Sequence, residues 1–288
     1  MAENKSTVEE ILTRLDFLAS AQPGSGIDGT DFVREQLEHE NVEVRTSAAE
    51  CAWEWPAGET AGKLLELARN DPERNVRVAA IKSLGWYMSL GEDNMYEDYE
   101  VGDSPTGELI EETVTVEQYQ NIRDFLLETY LDTKNRSLDE RRYALEAVSF
   151  VSREDVEQYI EEAYESDENK MVVSAVFSMG RNAHYKWKDK IKDVLNSADD
   201  EIRFEAIRAS GKCDVQTSRK MLRNIINTTR SRSEFEHCVL ALAQLGHTDS
   251  FSFFDNLQNE VRFDVEPEFA DYMLQEWMLY NNIRNSSF

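Results

Sequence analysis

The sequence has little cysteine, little histidine, few cations and no long apolar run. Three cysteines, Cys51, Cys213 and Cys238, are an odd number at wide spacing. That argues against a disulfide framework or a cysteine metal site and leaves buried free thiols as the expectation. No apolar run approaches the roughly 18 residues that a bilayer span requires. Met1-Ala2-Glu3-Asn4-Lys5 lacks the basic-then-apolar form of a signal peptide. These absences predict a cytoplasmic protein without membrane contact. β-Branched residues seldom alternate with polar ones, so strands are not expected. Lys and Arg total 31 against 57 Asp and Glu, a formal charge of −26. A surface of that sign repels the nucleic-acid backbone and makes a nucleic-acid partner unlikely. With only 11 Lys beside 20 Arg, the acidity reads either as salt adaptation or as an acidic scaffold with basic partners.

What the chain does contain is one helix pattern restated six times. A small residue marks each copy: Ala48, Ala80, Ala144, Ala175, Ala206 and Ala241, at intervals of 32, 64, 31, 31 and 35. Apolar residues recur around each Ala at helical spacing, as in Val76, Ala80, Ile81 and Leu84. Gly85, Gly180, Gly211 and Gly246 follow five residues after their alanines and are expected to cap the helix in the left-handed conformation. A second apolar helix follows each copy, with Val156, Ile160, Ala163 and Tyr164 restated 31 residues later as Trp187, Ile191, Val194 and Leu195, and again as Ser218, Leu222, Ile225 and Ile226. The unit is therefore helix A, a turn, helix B and a loop. A period of this length means a stacked solenoid in which no unit buries its apolar face alone.

The copies Val44-Arg45-Thr46-Ser47-Ala48, Val76-Arg77-Val78-Ala79-Ala80 and Ile202-Arg203-Phe204-Glu205-Ala206 resemble the HEAT and HEAT-like repeat family, the latter including bilin-lyase-type proteins. Asn41 and Asp199 stand three residues before Val44 and Ile202, where an N-cap belongs. The resemblance covers about residues 40–260. At Ala144, Ala175 and Ala241 the apolar-Arg pair is replaced by Glu140-Arg141, Met171-Val172 and His237-Cys238. The resemblance implies an all-α, right-handed superhelical solenoid of about seven antiparallel helix pairs, with helix B on the concave side. One array is expected over 1–288: an N-terminal cap at 1–40, an acidic insertion loop at 91–115, and a C-terminal capping helix and tail at 262–288.

Charge is unevenly placed. Residues 91–120 hold ten acids and no Lys or Arg. With Gly91, Gly102, Pro105 and Gly107 they read as an irregular loop, either an acidic-aromatic arm or a tolerated insertion. Residues 181–232 reverse the sign, with 13 Lys or Arg against seven acids. Lys188 and Lys192 lie one turn apart on a B helix, and 31 residues on stand Arg219 and Arg223. Subtracting 31 gives Glu157 and Glu161, so one B-helix face is expected to run acidic, basic, basic. Either Glu157 and Glu161 pair with Lys188 and Lys192, or the four cations form a site for an anionic partner.

Enzyme readings find little support. HEAT-built iron hydroxylases place His-Glu dyads on several helices, and this chain has four histidines and the single dyad His39-Glu40. HEAT-like DNA glycosylases carry a basic face with aromatics and a carboxylate, which Tyr185 and Trp187 beside Lys188 echo only in part. Gly24-Ser25-Gly26-Ile27-Asp28-Gly29 follows no predicted strand and reads as a turn. Trp53, Trp55 and Trp86 are expected to pack between repeats. The sequence points to a non-catalytic scaffold or adaptor without a cofactor. It would grip a partner protein, through an acidic or phosphorylated segment, along the B-helix face at Lys188, Lys192, Arg219, Arg223, Glu157 and Glu161. The alternative is an enzyme or enzyme accessory, either a bilin-lyase-like chaperone or a DNA-repair protein.

Overall fold

The computed structural model describes residues 7–21, 26–97, 114–151 and 153–286. Among them every regular element is helical. The chain divides into two compact units, residues 1–157 and 158–288. In the first, α1 (Val8–Ala19), α2 (Thr30–Gln36), α3 (Val42–Cys51), α4 (Gly58–Asn70), α5 (Arg74–Glu97), α6 (Val116–Leu131) and α7 (Leu138–Val148) succeed one another. The division falls within α8 (Glu154–Tyr164). In the second follow α9 (Asn169–Asn182), α10 (Lys188–Val194), α11 (Asp200–Lys212), α12 (Arg219–Thr228), α13 (Arg232–Gln244), α14 (Phe251–Asp255), α15 (Leu257–Glu260) and α16 (Pro267–Ser286). The A helices of the repeat are α3, α5, α7, α9, α11 and α13.

Four of the A helices, α3, α7, α11 and α13, start at a residue whose side chain accepts backbone N–H groups. Asn41 and Asp199 each accept two backbone N–H groups, from Glu43 and Val44 and from Glu201 and Ile202. Ser137 and Glu140 form a reciprocal capping box. The caps Ser137, Glu168, Asp199 and Ser231 stand 31, 31 and 32 residues apart. This register corrects the last copy. The counterpart of Ala206 is Cys238, seven residues after its cap, and Ala241 is the counterpart of Ala209; all are buried. The 64-residue interval also resolves differently from two periods, because α5 and α7 pack directly on one another with α6 between them in sequence. That interval is one repeat step.

The seams are as expected. Ala48, Ala80, Ala144, Ala175 and Ala206 are wholly buried, so α3 packs on α5, α5 on α7, α9 on α11 and α11 on α13. The phase of the pair differs from the sequence reading. Four A helices pack on the B helix that precedes them: α5 on α4, α7 on α6, α11 on α10 and α13 on α12. In the second unit the chain leaves each A helix through a left-handed residue, Ala183, Asp214 or Gly246. It then makes a short 3-10 turn, at Tyr185–Trp187, Gln216–Ser218 and Thr248–Ser250. Those turns step the following B helix across to the next A helix.

Only Gly246 is therefore the left-handed cap expected of the four glycines. Gly85 lies inside α5, and Gly180 and Gly211 inside α9 and α11. The last two serve close approach. A Cβ on Gly180 would sit 3.0 Å from Ala209 Cα, and one on Gly211 would sit 3.0 Å from Ala241 Cα. The same contact is thus made one repeat apart. Gly91, read as a loop residue, is buried in α5 against the Tyr119 ring, where a Cβ would come within 2.2 Å. Helix α5 continues to Glu97, six residues past the expected start of the insertion loop at 91. The rest of that loop, 98–113, lies outside the described residues, as do 1–6 and 22–25 of the N-terminal cap.

The apolar-Arg pair has a defined mechanical role. Arg45, Arg77 and Arg203 each donate to a carbonyl six residues back: His39, Asp71 and Ser197. This fastens the turn between a B helix and its A helix. The same guanidinium reaches a carboxylate further along the chain: Arg45 to Asp71 at 2.8 Å, Arg77 to Glu140 at 2.7 Å and Arg203 to Glu234 at 2.7 Å. Glu140, 1 % exposed, also accepts from Arg136 at 3.1 Å. Burial would raise its pKa, but Arg77, then Ser137 and Arg136, outweigh that and bring it down to about 2.

At the C-terminus α16 packs on α13 and α14, and Trp277 Nε1 donates to the His247 carbonyl at 3.0 Å. The closing helix is as expected but extends to Ser286. All three cysteines are buried free thiols. Burial pushes Cys51 up to about 11 and Cys213 to about 12, and raises Cys238 as well.

Two measurements check this account. A carboxyl whose folded pKa is depressed contributes stability above its unfolded pKa and loses it as pH falls through the folded value. The stability gap between the native chain and Glu140→Gln, from urea unfolding, is therefore expected to be full near neutrality and to close between about pH 4.5 and about pH 2. Arg77→Ala, which leaves Glu140 buried without its main partner, should cost about 3 kcal/mol at pH 7. For the seams, Gly211→Ala should lose about 1–3 kcal/mol by overpacking. Gly62→Ala, at a helical position with nothing within 4 Å, should gain about 0.4–1 kcal/mol. Equal effects of the two substitutions would refute the close-approach role.

Candidate functional site

Helices α10 and α12 are short B helices with one side turned into the core: Trp187, Ile191 and Leu195 are buried in one repeat, and Ser218, Leu222 and Ile226 at the equivalent positions of the next. That burial fixes which side of each helix remains accessible. Lys188, Lys192, Arg219 and Arg223 are all half-buried. In the corrected register the next pair along the row is Phe251 and Asp255.

The acids that meet this ladder are not the ones the spacing suggested. Lys188 lies 3.5 Å from Asp214, the left-handed residue that follows α11. Arg219 donates twice to Asp249, at 2.9 Å to each oxygen. Arg223 donates to Ser250 Oγ at 3.3 Å and lies 5.2 Å from the centre of the Phe253 ring. Lys192 makes no ion pair among the described residues. Glu161 pairs at 3.0 Å with Lys190, two positions from either expected lysine, and Glu157 belongs to the first unit. The counter-charges come from the turns leading into the next B helix, which a fixed offset of 31 cannot find. Asp249 also bonds His247 Nδ1 at 2.7 Å. Burial raises its pKa, and His247 and Arg219 together lower it below the usual range.

Around Arg219 and Arg223 the surface sinks into a depression of about 500 Å³, lined by Gln216, Thr217, Arg219, Lys220, Arg223 and Asp249. Three cations face one carboxylate there, with the Thr217 hydroxyl as a neutral donor. Such an arrangement complements a carboxylate or phosphate, since a guanidinium presents parallel N–H donors to two oxygens. Sequence reasoning missed Lys220, Gln216 and Thr217. Their signal was the Gln-Thr-Ser-Arg-Lys run itself, whose 3-10 turn places the residues together.

The tryptophans divide. Trp55 packs inward, its Nε1 donating to the Leu18 carbonyl at 3.3 Å. Trp53 and Trp86 meet edge to face at 6.0 Å between α3 and α5, yet stay 43 % and 39 % exposed. Packing between repeats thus accounts for their contact and not for their remaining surface.

The Arg219–Asp249 pair is open to solvent on its acidic side, so screening limits its worth. A double-mutant cycle with Arg219→Gln and Asp249→Asn is expected to give a coupling of no more than about 1 kcal/mol. A coupling several times larger would make this pair a structural latch and remove Arg219 from the candidate site.

Residues 30–94 match the family described as HEAT repeats, a span that opens at α2 and closes within α5. No curated protein matches the chain. Among solved structures, YibA of Escherichia coli is similar at 14 % identity, covering 96 % of this chain and 99 % of its own, with a TM-score of 0.45. Human deoxyhypusine hydroxylase, solved with glycerol, is similar at 16 % identity, over 85 % of this chain and 93 % of its own, with a TM-score of 0.37. An engineered protein is similar at 14 % identity, over 96 % and 75 %, with a TM-score of 0.41. These likenesses transfer no activity to this chain. Residues 30–94 thus carry the HEAT-repeat match, and small-residue seams between successive A helices and B-then-A packing recur on to Gln244 in an all-α array of HEAT-like helical repeats.

Proposed function

We propose that this chain is a non-catalytic scaffold or adaptor that holds a partner protein through an acidic or phosphorylated segment. The observation that carries the reading is the depression at Gln216, Thr217, Arg219, Lys220, Arg223 and Asp249. In a chain of net charge −26, three cations gathered against one carboxylate favour an anion over the bulk of other ligands. The B-helix rung of Lys188 and Lys192 extends the same sign one repeat back along the row.

The groups held furthest from their ordinary pKa support a non-catalytic reading. Glu140, Tyr87 and the three thiols are shifted by burial and by ion pairs that serve packing. Buried free thiols fit a reducing compartment such as the cytoplasm. Among the described residues no helix is long and apolar enough to cross a membrane, and the partner is taken to be a protein.

The test is a pull-down at two salt concentrations with identification of the captured protein, followed by titration of that protein. Arg219→Glu with Arg223→Glu is expected to weaken its binding at least tenfold and to flatten the dependence on salt. Binding that the double substitution leaves unchanged, with the chain still folded, would withdraw the site.

A further inference from the structure

Trp53 and Trp86 keep 43 % and 39 % of their surface open to solvent, which their mutual packing does not explain. They meet edge to face, with ring centres 6.0 Å apart and planes at 69°. Each indole therefore keeps at least one ring face that the other does not cover, and the two rings form a corner instead of a stack. The backbone that carries them is fixed. Ser83 and Tyr87 of α5 donate to the carbonyls of Ala49 and Ala52, at the end of α3. Both bonds lie within four residues of the tryptophans, so the corner is set before any ligand arrives.

The chain seats several of its own cations on aromatic faces. In the same unit Arg14 lies 3.9 Å from the centre of the Phe32 ring, Lys82 lies 4.9 Å from that of Tyr143 and Arg69 lies 5.4 Å from that of Phe125. Among the described residues no cation lies on Trp53 or Trp86, although indole attracts a cation more strongly than the other aromatic side chains do. Lys82, one turn before Trp86 on α5, is held by Tyr143 of α7. On the α3 side the nearby charge is negative. Beyond Cys51 the backbone makes one more turn, with the Glu54 N–H donating to the Cys51 carbonyl and the Trp55 N–H to that of Ala52. Trp53 and Glu54 thus stand three and four residues after Glu50 on one side of that turn. Glu50 is exposed and Glu54 half-buried, and neither makes an ion pair among the described residues.

We infer that Trp53 and Trp86, with Glu50 and Glu54 beside them, form a docking surface for an arginine side chain of a basic partner protein. A guanidinium is planar and always charged, so it stacks on an indole face while its N–H edge reaches a carboxylate. A wholly apolar partner would cover Glu50 and Glu54 without giving them a counter-charge, which costs free energy. The charge of −26 draws a basic segment toward the surface, and the two rings give it a specific place to settle. Tryptophan is also among the side chains that carry most of the binding energy at protein interfaces. The surface lies in the first unit and takes a ligand of opposite charge to the depression at α12, so the two readings stand or fall separately.

The test titrates the full chain, at constant ionic strength, into a fluorescein-labelled glycine peptide that carries a pair of arginines. Anisotropy and calorimetry are the readouts. The control peptide has citrulline at both places, which keeps the shape of the side chain and removes its charge. Saturable binding of the arginine peptide is expected, about tenfold tighter than that of the citrulline peptide. Trp53→Leu with Trp86→Leu should weaken it about tenfold. Glu50→Gln with Glu54→Gln keeps both rings and should weaken it about threefold or more. Glu165→Gln with Asp167→Asn removes the same charge from exposed positions of the second unit and should leave it unchanged. Equal binding of the citrulline peptide overturns the inference, and so does binding retained by a folded Trp53→Leu/Trp86→Leu chain. If that chain does not fold, the two acid pairs decide: equal effects mean a general attraction to an acidic surface and overturn the inference, and a loss confined to Glu50→Gln/Glu54→Gln supports it.

Discussion

The arginine at the fourth position after the helix cap is the constraint on which the stacking depends. A helical repeat has two problems to solve at the start of each A helix. The turn before it exposes carbonyls that no helix satisfies, and the neighbouring repeat must be set in register. Arg45, Arg77 and Arg203 address both with one side chain. The guanidinium closes the turn through backbone carbonyls and reaches a carboxylate further along the chain. A lysine has one point charge and no planar fork to divide between the two tasks. Where the arginine is missing, as at Val172 and Phe235, other contacts take over. Glu168 caps α9 without a side-chain bond, and Phe235 is buried and stacked on Phe263 at 4.5 Å.

With the turns fixed, small residues set the spacing. Gly180 against Ala209 and Gly211 against Ala241 bring neighbouring A helices nearly backbone to backbone. B helices instead step across to the following A helix. This division of labour leaves the long polar side chains of the A and B helices on accessible surface, where cations rest on aromatic faces. Arg223 on Phe253, Lys190 on Tyr164, and Arg181 with Arg208 on Phe177 are instances. An acidic chain that keeps its cations in such settings holds them in fixed geometry, which is what recognition of an anion requires.

Much of this was legible in the residues. The period, the caps Asn41 and Asp199, the buried alanines and the B-helix core residues all follow from spacing, because a helix that buries one stripe must repeat it at 3.6 residues. The expected ladder of Lys188, Lys192, Arg219 and Arg223 also falls on successive B helices. Its counter-charges did not follow. Asp214 and Asp249 are drawn in by turns whose geometry depends on a left-handed residue, and no periodic offset marks them. Gly85, Gly180 and Gly211 look alike in sequence to a left-handed cap such as Gly246, and only the neighbouring helix decides between a cap and a close approach.

The sequence by itself determined that this chain stacks helices at a period near 31 residues, with apolar-Arg starts and small-residue seams. Those are local properties: a cap bonds groups two or three residues away, and an amphipathic stripe is a matter of spacing. Tertiary packing decided which B helix joins which A helix, that α5 and α7 are direct neighbours across 64 residues, and which carboxylate meets each cation. These depend on distances between groups far apart in the chain, set by how closely Gly and Ala let the backbones approach and by where each arginine finds its second partner.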